Sequence, residues 1–277
     1  MAETATAWSA VREEVRAGRV LLRAAWRAAI TYRVSFLSTI VGGMALQGTQ
    51  LLFIGVLLSK FTVIHGWRLN EVAFLFAMRL AAHAFYVVPF GALVMIDQAV
   101  QQGDIDRFLL RPAGIYLQVV TRYAPLMALG DALLGFGSLA IFAPRSSVSW
   151  TPGKVAFLIA ALVGGGLVEA GMQTFLAGLS FRMTSTISLR VLADDTITRF
   201  SGYPLTMFNR WGFLSLTFVF PMAFIAYLPA TVLLGRTDQL PMPAWLTQIS
   251  PCGGLVVFII GLTFFNRMTR KYNSPGS

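Results

Sequence analysis

Six long apolar stretches constrain this chain more than any other feature. They fall near residues 34–59, 72–98, 116–143, 154–181, 210–234 and 250–266. Each is at or near the length of about 20 residues that crosses a hydrocarbon layer roughly 30 Å thick as a helix. Hydrocarbon offers no partner to a backbone N–H or C=O, so such runs are expected to be helical. Composition removes the soluble reading: 12% of the 277 residues are charged and 56% are hydrophobic, whereas a soluble domain is about 25% charged. Disorder is removed too, because it needs low hydrophobicity. The expected fold class is all-α integral membrane, a single domain over 1–277 with six transmembrane helices. The connections 60–71, 144–153 and 235–249 are short, which leaves no room for an extracellular domain. The last run is the weakest, with Ser250-Pro251 at its start and Gly253-Gly254 inside; spanning helices tolerate both.

Residues 8–30 differ from the rest. Arg12, Arg16, Arg19, Arg23 and Arg27 recur every three or four positions beside Val11, Val15, Leu22, Ala25 and Ala29, with Trp8 and Trp26 at the border. A basic stripe, an apolar face and flanking tryptophans predict an amphipathic helix lying in the headgroup layer; a solvated or partner-binding arm is the alternative. The formal net charge is +10. That balance suits a nucleic-acid binder only if it forms a soluble basic face, and here the charge punctuates apolar runs, so no nucleic-acid partner is expected. With the N-terminus inside, the cytoplasmic side holds sixteen basic residues, among them Arg107, Arg111, Arg122, Arg182, Arg190, Arg199 and Arg210, against five outside. The positive-inside rule then places both termini in the cytoplasm.

Catalytic signatures are missing. There is no G-x-x-x-x-G-K-[ST] loop, no G-x-S-x-G and no H-E-x-x-H, so the chain is expected to be no enzyme and to hydrolyse no ATP itself. One cysteine, Cys252, and two histidines, His65 and His83, give poor material for a metal site. No metal and no bound cofactor are expected. The Gly164-Gly165-Gly166 run reads as close helix packing.

Two places attract attention. The first is the inner connection 103–112, Gly103-Asp104-Ile105-Asp106-Arg107-Phe108-Leu109-Leu110-Arg111-Pro112. Gly103 closes the preceding helix, Asp104 is placed to cap a short one, and Pro112 ends it. Ile105, Phe108 and Leu109 share a side, with Asp106, Arg107 and Arg111 opposite. Docking into another protein and resting on lipid are equally compatible with that pattern. The second is the set of ionisable residues inside the runs: Arg79, His83, Asp131 and Glu169. Such groups face a bundle interior or a wet pathway. At 1.5 Å per residue, Arg79 and Asp131 lie about 10 and about 18 Å from the outer ends, so an Arg79–Asp131 ion pair is within reach. Structural pairing is the expected role; substrate or proton handling is the alternative. Pro221 and Pro229 are expected to kink the fifth run, and 182–209 reads as a short cytosolic or interfacial helix.

The segment G-D-I-D-R-F-L-L-R-P at 103–112 resembles the loop between the second and third spans of bacterial ABC-2-type permeases. The passages Gly202-Tyr203-Pro204 and Phe218-Val219-Phe220-Pro221, and the tail Arg270-Lys271-Tyr272-Asn273-Ser274-Pro275-Gly276-Ser277, are similar to the six-helix subfamily with separate ATPases. The resemblance implies an ABC-2-type exporter fold in the bacterial cytoplasmic membrane. Two such permeases, the same chain or a paralogue, would meet around a pathway above two ABC ATPase subunits. ATP and Mg would sit on the ATPases, and Asp104, Ile105, Asp106, Arg107, Phe108, Leu109 and Arg111 would form the coupling helix. An amphiphilic cargo (a drug-like antibiotic, lipid or peptide) is the expected substrate. The alternatives are a non-ABC membrane protein (an immunity or scaffold factor, or an intramembrane enzyme using Glu169, Asp131 and His83) and a proton-coupled carrier.

Overall fold

The computed structural model describes residues 2–60, 63–64, 66–183 and 185–272. The Asn273–Ser277 part of the tail motif lies outside them, as do the side chains of Trp8, Val11, Arg12 and Val15. The described chain is almost wholly helical, apart from a two-residue antiparallel pair, β1 (Val63–Ile64) and β2 (Trp67–Arg68). Helix α1 (Ala2–Thr31) is longer than the 8–30 segment and breaks at Tyr32 before α2 (Arg33–Lys60). Arg16, Arg19, Arg23 and Arg27 are exposed, while Gly18 is buried against Leu117.

Among the described residues, four helical stretches are long and apolar enough to cross a membrane: 33–53, 69–101, 152–179 and 250–269. The second is α3 (Leu69–Phe90), continued through a 3-10 turn into α4 (Ile96–Gln101). The third is α8 (Pro152–Leu179), started by Thr151, whose hydroxyl accepts from the Lys154 N–H, with Pro152 at its first position. Two of the expected runs differ. The 116–143 run is not one helix: α5 (Asp104–Leu109) is followed by α6 (Ile115–Val120), a turn over 121–125, and the 17-residue α7 (Leu126–Phe142). Pro125 lacks the N–H that would continue α6.

The larger correction concerns 182–234. Helix α9 (Ile187–Phe200) begins at the end of the bundle that carries α5, called inner (and the opposite end outer) after the orientation expected from the sequence, where Thr186 donates to Asp97 just before Gln101. Thr198 then meets Arg79, Gly202 meets Phe76, and Leu205 joins a core with Trp67 at the outer start of α3. The 187–208 segment therefore traverses the bundle and is no cytosolic helix. The 210–234 run does not traverse it. Helix α10 (Arg210–Leu214) and a π turn descend from the outer end to Phe220 and Pro221, beside Gly171 of α8. The chain turns there and returns through α11 (Tyr227–Leu233), whose last residue offers its carbonyl to Lys154 at the outer start of α8. This is a re-entrant hairpin, entering and leaving by one face. Pro221 makes the turn, with Phe220 extended before it. Pro229 makes no kink: it sits in the first turn of α11, where a helix needs no N–H. Arg210 moves to the outer side, and Arg190 and Arg199 into a crossing; the named basic residues still favour the inner side, thirteen to six.

Small residues set the helix spacing. A Cβ on Gly254 of α13 (Ser250–Thr269) would collide with the Gly164 carbonyl, and one on Gly171 would stand 2.6 Å from the Val257 backbone. In the triple-glycine run, Gly164 faces α13, Gly165 faces Ile225 of the hairpin, and Gly166 faces Phe85 of α3. Three neighbours thus converge on one turn of α8, which only a missing side chain permits. On the opposite side, Gly43 and Gly130 hold α2 against α7. Helix α12 (Ala244–Gln248) closes the outer connection before α13.

Candidate coupling surface and buried polar seam

The short helix α5 is held rigidly at the inner end. Gly103 adopts φ +73°, a conformation that favours glycine, so it occupies the cap position expected for Asp104. Asp104 is instead the first helical residue, and its carboxylate accepts from Arg122 at 2.5 Å and from Arg107 at 3.5 Å. Ile105 is fully buried and Phe108 nearly so, in a cluster with Leu93, Ile96, Val119 and Phe265. Gln118 donates to the carbonyls of Phe108 and Ala113, fixing the end of the helix. Tyr272 also reaches α5: burial first, then the adjacent Asp106 carboxylate, raise its phenol above the ordinary value.

The expected docking face is thereby corrected. Ile105 and Phe108 anchor α5 to the bundle, and Asp104 braces it. The surface turned outward consists of Arg107, Leu109, Leu110 and Arg111, with Leu110 87% exposed. Of the i, i+3, i+4 set, Ile105 and Phe108 turn inward, whereas Leu109 is exposed beside Leu110.

Three of the four intramembrane ionisable residues, Arg79, His83 and Glu169, converge on the seam between α3, α8 and α9. His83 Nδ1 and Glu169 Oε2 are 2.6 Å apart. Arg79 donates to Thr198 Oγ1 at 2.8 Å and forms no ion pair with Asp131 among the described residues. Asp131 is half-buried and accepts from Gln47 of α2. The expected Arg79–Asp131 pair is replaced because α9 crosses here and brings Thr198 to the guanidinium. Further along, Gln173 donates to Asp194 at 2.5 Å and accepts from Arg190 Nε at 3.3 Å. Among the described residues, Glu169 Oε1, two nitrogens of Arg79 and one of Arg190 are buried without a protein partner. Such atoms are uncommon in a finished interior.

Sequence reading missed two carboxylates that organise the ends. Asp97 accepts from the N–H of Thr186 at 3.1 Å and from its hydroxyl at 2.9 Å, seating the start of α9. Glu71, also buried, accepts from Arg236 at 2.8 Å, from Ser147 at 2.8 Å and from the Arg68 N–H at 2.8 Å. It joins three outer connections, and Arg236 lies 5.2 Å over the buried Trp67 ring. The available signal was scarcity, since each is an isolated acid at the edge of an apolar run among only twelve in the chain.

Among the described residues no group of three or more His, Cys, Asp or Glu side chains is placed to hold a metal. In comparison with known proteins, the family described as "ABC-2 family transporter protein" matches residues 44–276. No curated protein and no solved structure matched.

Proposed function

Because the chain belongs to the ABC-2 family of transporter membrane proteins, we propose that it is the permease subunit of an ATP-driven exporter. In this reading α5 receives the stroke of two separate ABC ATPase subunits, which carry ATP and Mg. The single observation that carries the proposal is the construction of α5. A short helix is clamped to the bundle by Ile105, Phe108, Asp104 and Gln118, and presents Leu110 between Arg107 and Arg111. Clamping matters mechanically, because a push on a loosely tethered helix would be absorbed locally. Here α4, α5 and α6 are packed as one block against Ala177 and Phe265 of the spanning helices, so displacement passes to α8 and α13.

The pathway is proposed to run along α9. Asp194, Asp195 and Arg199 are exposed in the single chain, on a helix that crosses the bundle. Charges turned toward hydrocarbon cost several kcal/mol, about 2.5–3.5 each on insertion scales. A second permease subunit, identical or paralogous, and water between the two would remove that cost. The unpaired polar atoms of Arg79, Glu169 and Arg190 support a wet seam behind it. An amphiphilic cargo fits a route along the charged face of α9 that carries Asp194, Asp195 and Arg199. The positive-inside balance supports both termini in the cytoplasm of a bacterial cell.

The test is co-purification with the partner ATPase. Leu110→Asp is expected to lower recovery of the complex at least tenfold while leaving the permease folded, because Leu110 supports no core. Full recovery of the complex and of its cargo-dependent ATPase activity in Leu110→Asp and Arg107→Glu would remove α5 from the interface.

A further inference from the structure

A continuous groove follows α13 from the tip of the hairpin to the inner end of the helix. Its upper part is an apolar cavity of about 520 Å³ between α8, α9, α13 and the Phe220–Pro221 turn, reached by Leu192, Ala193, Val257 and Ile260. Ile260 and Phe175 also line the next depression, which ends at Phe264 and Arg267. Phe264 and Arg267 in turn border a third, closed by Arg270 and Lys271. One stripe of α13 therefore passes from apolar (Val257, Ile260, Phe264) to cationic (Arg267, Lys271) within a few turns, at helical spacing.

The three cations are exposed, and among the described residues none forms an ion pair. The helix C-terminus accounts for some attraction of positive charge to this end. It does not account for an apolar trough leading into the cluster. The only polar side chain of the upper cavity, Thr196, has its hydroxyl turned to its own helix at Leu192 O. The cavity thus offers nothing to a headgroup and a full lining to an alkyl chain, while the cations offer the reverse.

We propose that this groove is a binding site for one anionic phospholipid of the cytoplasmic-side leaflet. An acyl chain fills the cavity beneath the hairpin tip, and the phosphate rests on Arg267, Arg270 and Lys271. The occupant is assigned to the bilayer because the groove opens along the flank of α13, where spanning helices meet lipid, and because its charge ends where the inner headgroups lie. The site depends on the chain being membrane-embedded in the stated orientation. It is independent of α5 and of any ATPase.

The test is native mass spectrometry of the purified full chain, titrated with equal concentrations of phosphatidylglycerol and phosphatidylcholine. The wild type is expected to retain one phosphatidylglycerol at least tenfold in preference to phosphatidylcholine, since roughly fivefold per basic contact compounds over three contacts to about a hundredfold at most. Arg267→Gln with Arg270→Gln and Lys271→Gln should abolish the preference. Ala193→Phe, which fills the cavity, should reduce retention of both lipids with the cations intact. Ile260→Trp provides a second filled cavity, and size-exclusion profiles confirm that each variant is folded. Equal retention of the two lipids by the wild type would overturn the site. So would an undiminished preference in the triple variant, or undiminished retention in both filled variants. Loss of the ATPase complex in Leu110→Asp leaves this readout untouched, so the two proposals fail separately.

Discussion

Helices α2 and α9 both run the length of the bundle, and they have almost nothing else in common. Helix α2 carries no charge between Arg33 and Lys60, and Val34, Leu37, Val41, Leu46 and Leu52 are each more than 60% exposed. It touches the rest of the chain mainly through the close approach of Gly43 and Gly130 to facing backbone. Helix α9 carries Arg190, Asp194, Asp195 and Arg199 in fourteen residues. It is held by side-chain hydrogen bonds at three levels, to Asp97, Gln173 and Arg79. The difference teaches that hydropathy records how much of a helix meets hydrocarbon rather than how deep it lies. A helix with lipid on most sides must be apolar throughout. One with protein behind it and a wet or partnered face in front need not be.

The contrast can be broken or sharpened by substitution. The largest effect is expected at Asp97→Ala, which leaves the buried Thr186 N–H and hydroxyl without their acceptor and unseats the start of α9. A loss of about 3 kcal/mol in stability against denaturant is expected, and Asp97→Asn should recover part of it. Next comes Thr198→Val, which strips Arg79 of its hydroxyl partner at a cost of about 1–2 kcal/mol. Thr198→Ser should be near wild type; if Ser and Val behave alike, the Arg79 contact contributes nothing. The smallest effect belongs to α2. Leu46→Ala is expected to change stability by no more than about 0.5 kcal/mol, since an exposed side chain leaves no cavity. A large loss there would mean that α2 is packed against a partner subunit even in the isolated preparation.

These expectations explain what was legible in the sequence. The crossings by α2, α3 with α4, α8 and α13 were readable because their runs are long and predominantly apolar. The re-entrant hairpin was misread as a crossing because its residues are equally apolar: it is buried against Gly165 and Gly171 rather than facing lipid alone, and composition does not distinguish the two. The crossing by α9 was misread as a cytosolic helix for the converse reason. At the site, the apolar residues of α5 were recognisable, but that Ile105 and Phe108 turn inward while Leu109 stays exposed depended on a core assembled from α4, α6, α8 and α13. The partners of Arg79 and His83 were beyond reach until α9 was correctly placed. Asp97 and Glu71, by contrast, could have been singled out as lone acids at the ends of apolar runs.

The central structural claim is that the fifth crossing is 187–208 and that 210–234 enters and leaves by the outer face. Sided thiol labelling tests it most directly. In a Cys252→Ser background, single cysteines replacing Arg182, Arg210 and Gln239 are exposed to an impermeant maleimide in intact cells and again after permeabilisation. The structure predicts that Arg210→Cys and Gln239→Cys label together in intact cells, since Arg210 and Gln239 border one outer depression, while Arg182→Cys labels only after permeabilisation. Labelling of Arg210→Cys together with Arg182→Cys, and apart from Gln239→Cys, would contradict it and restore 210–234 as a spanning helix.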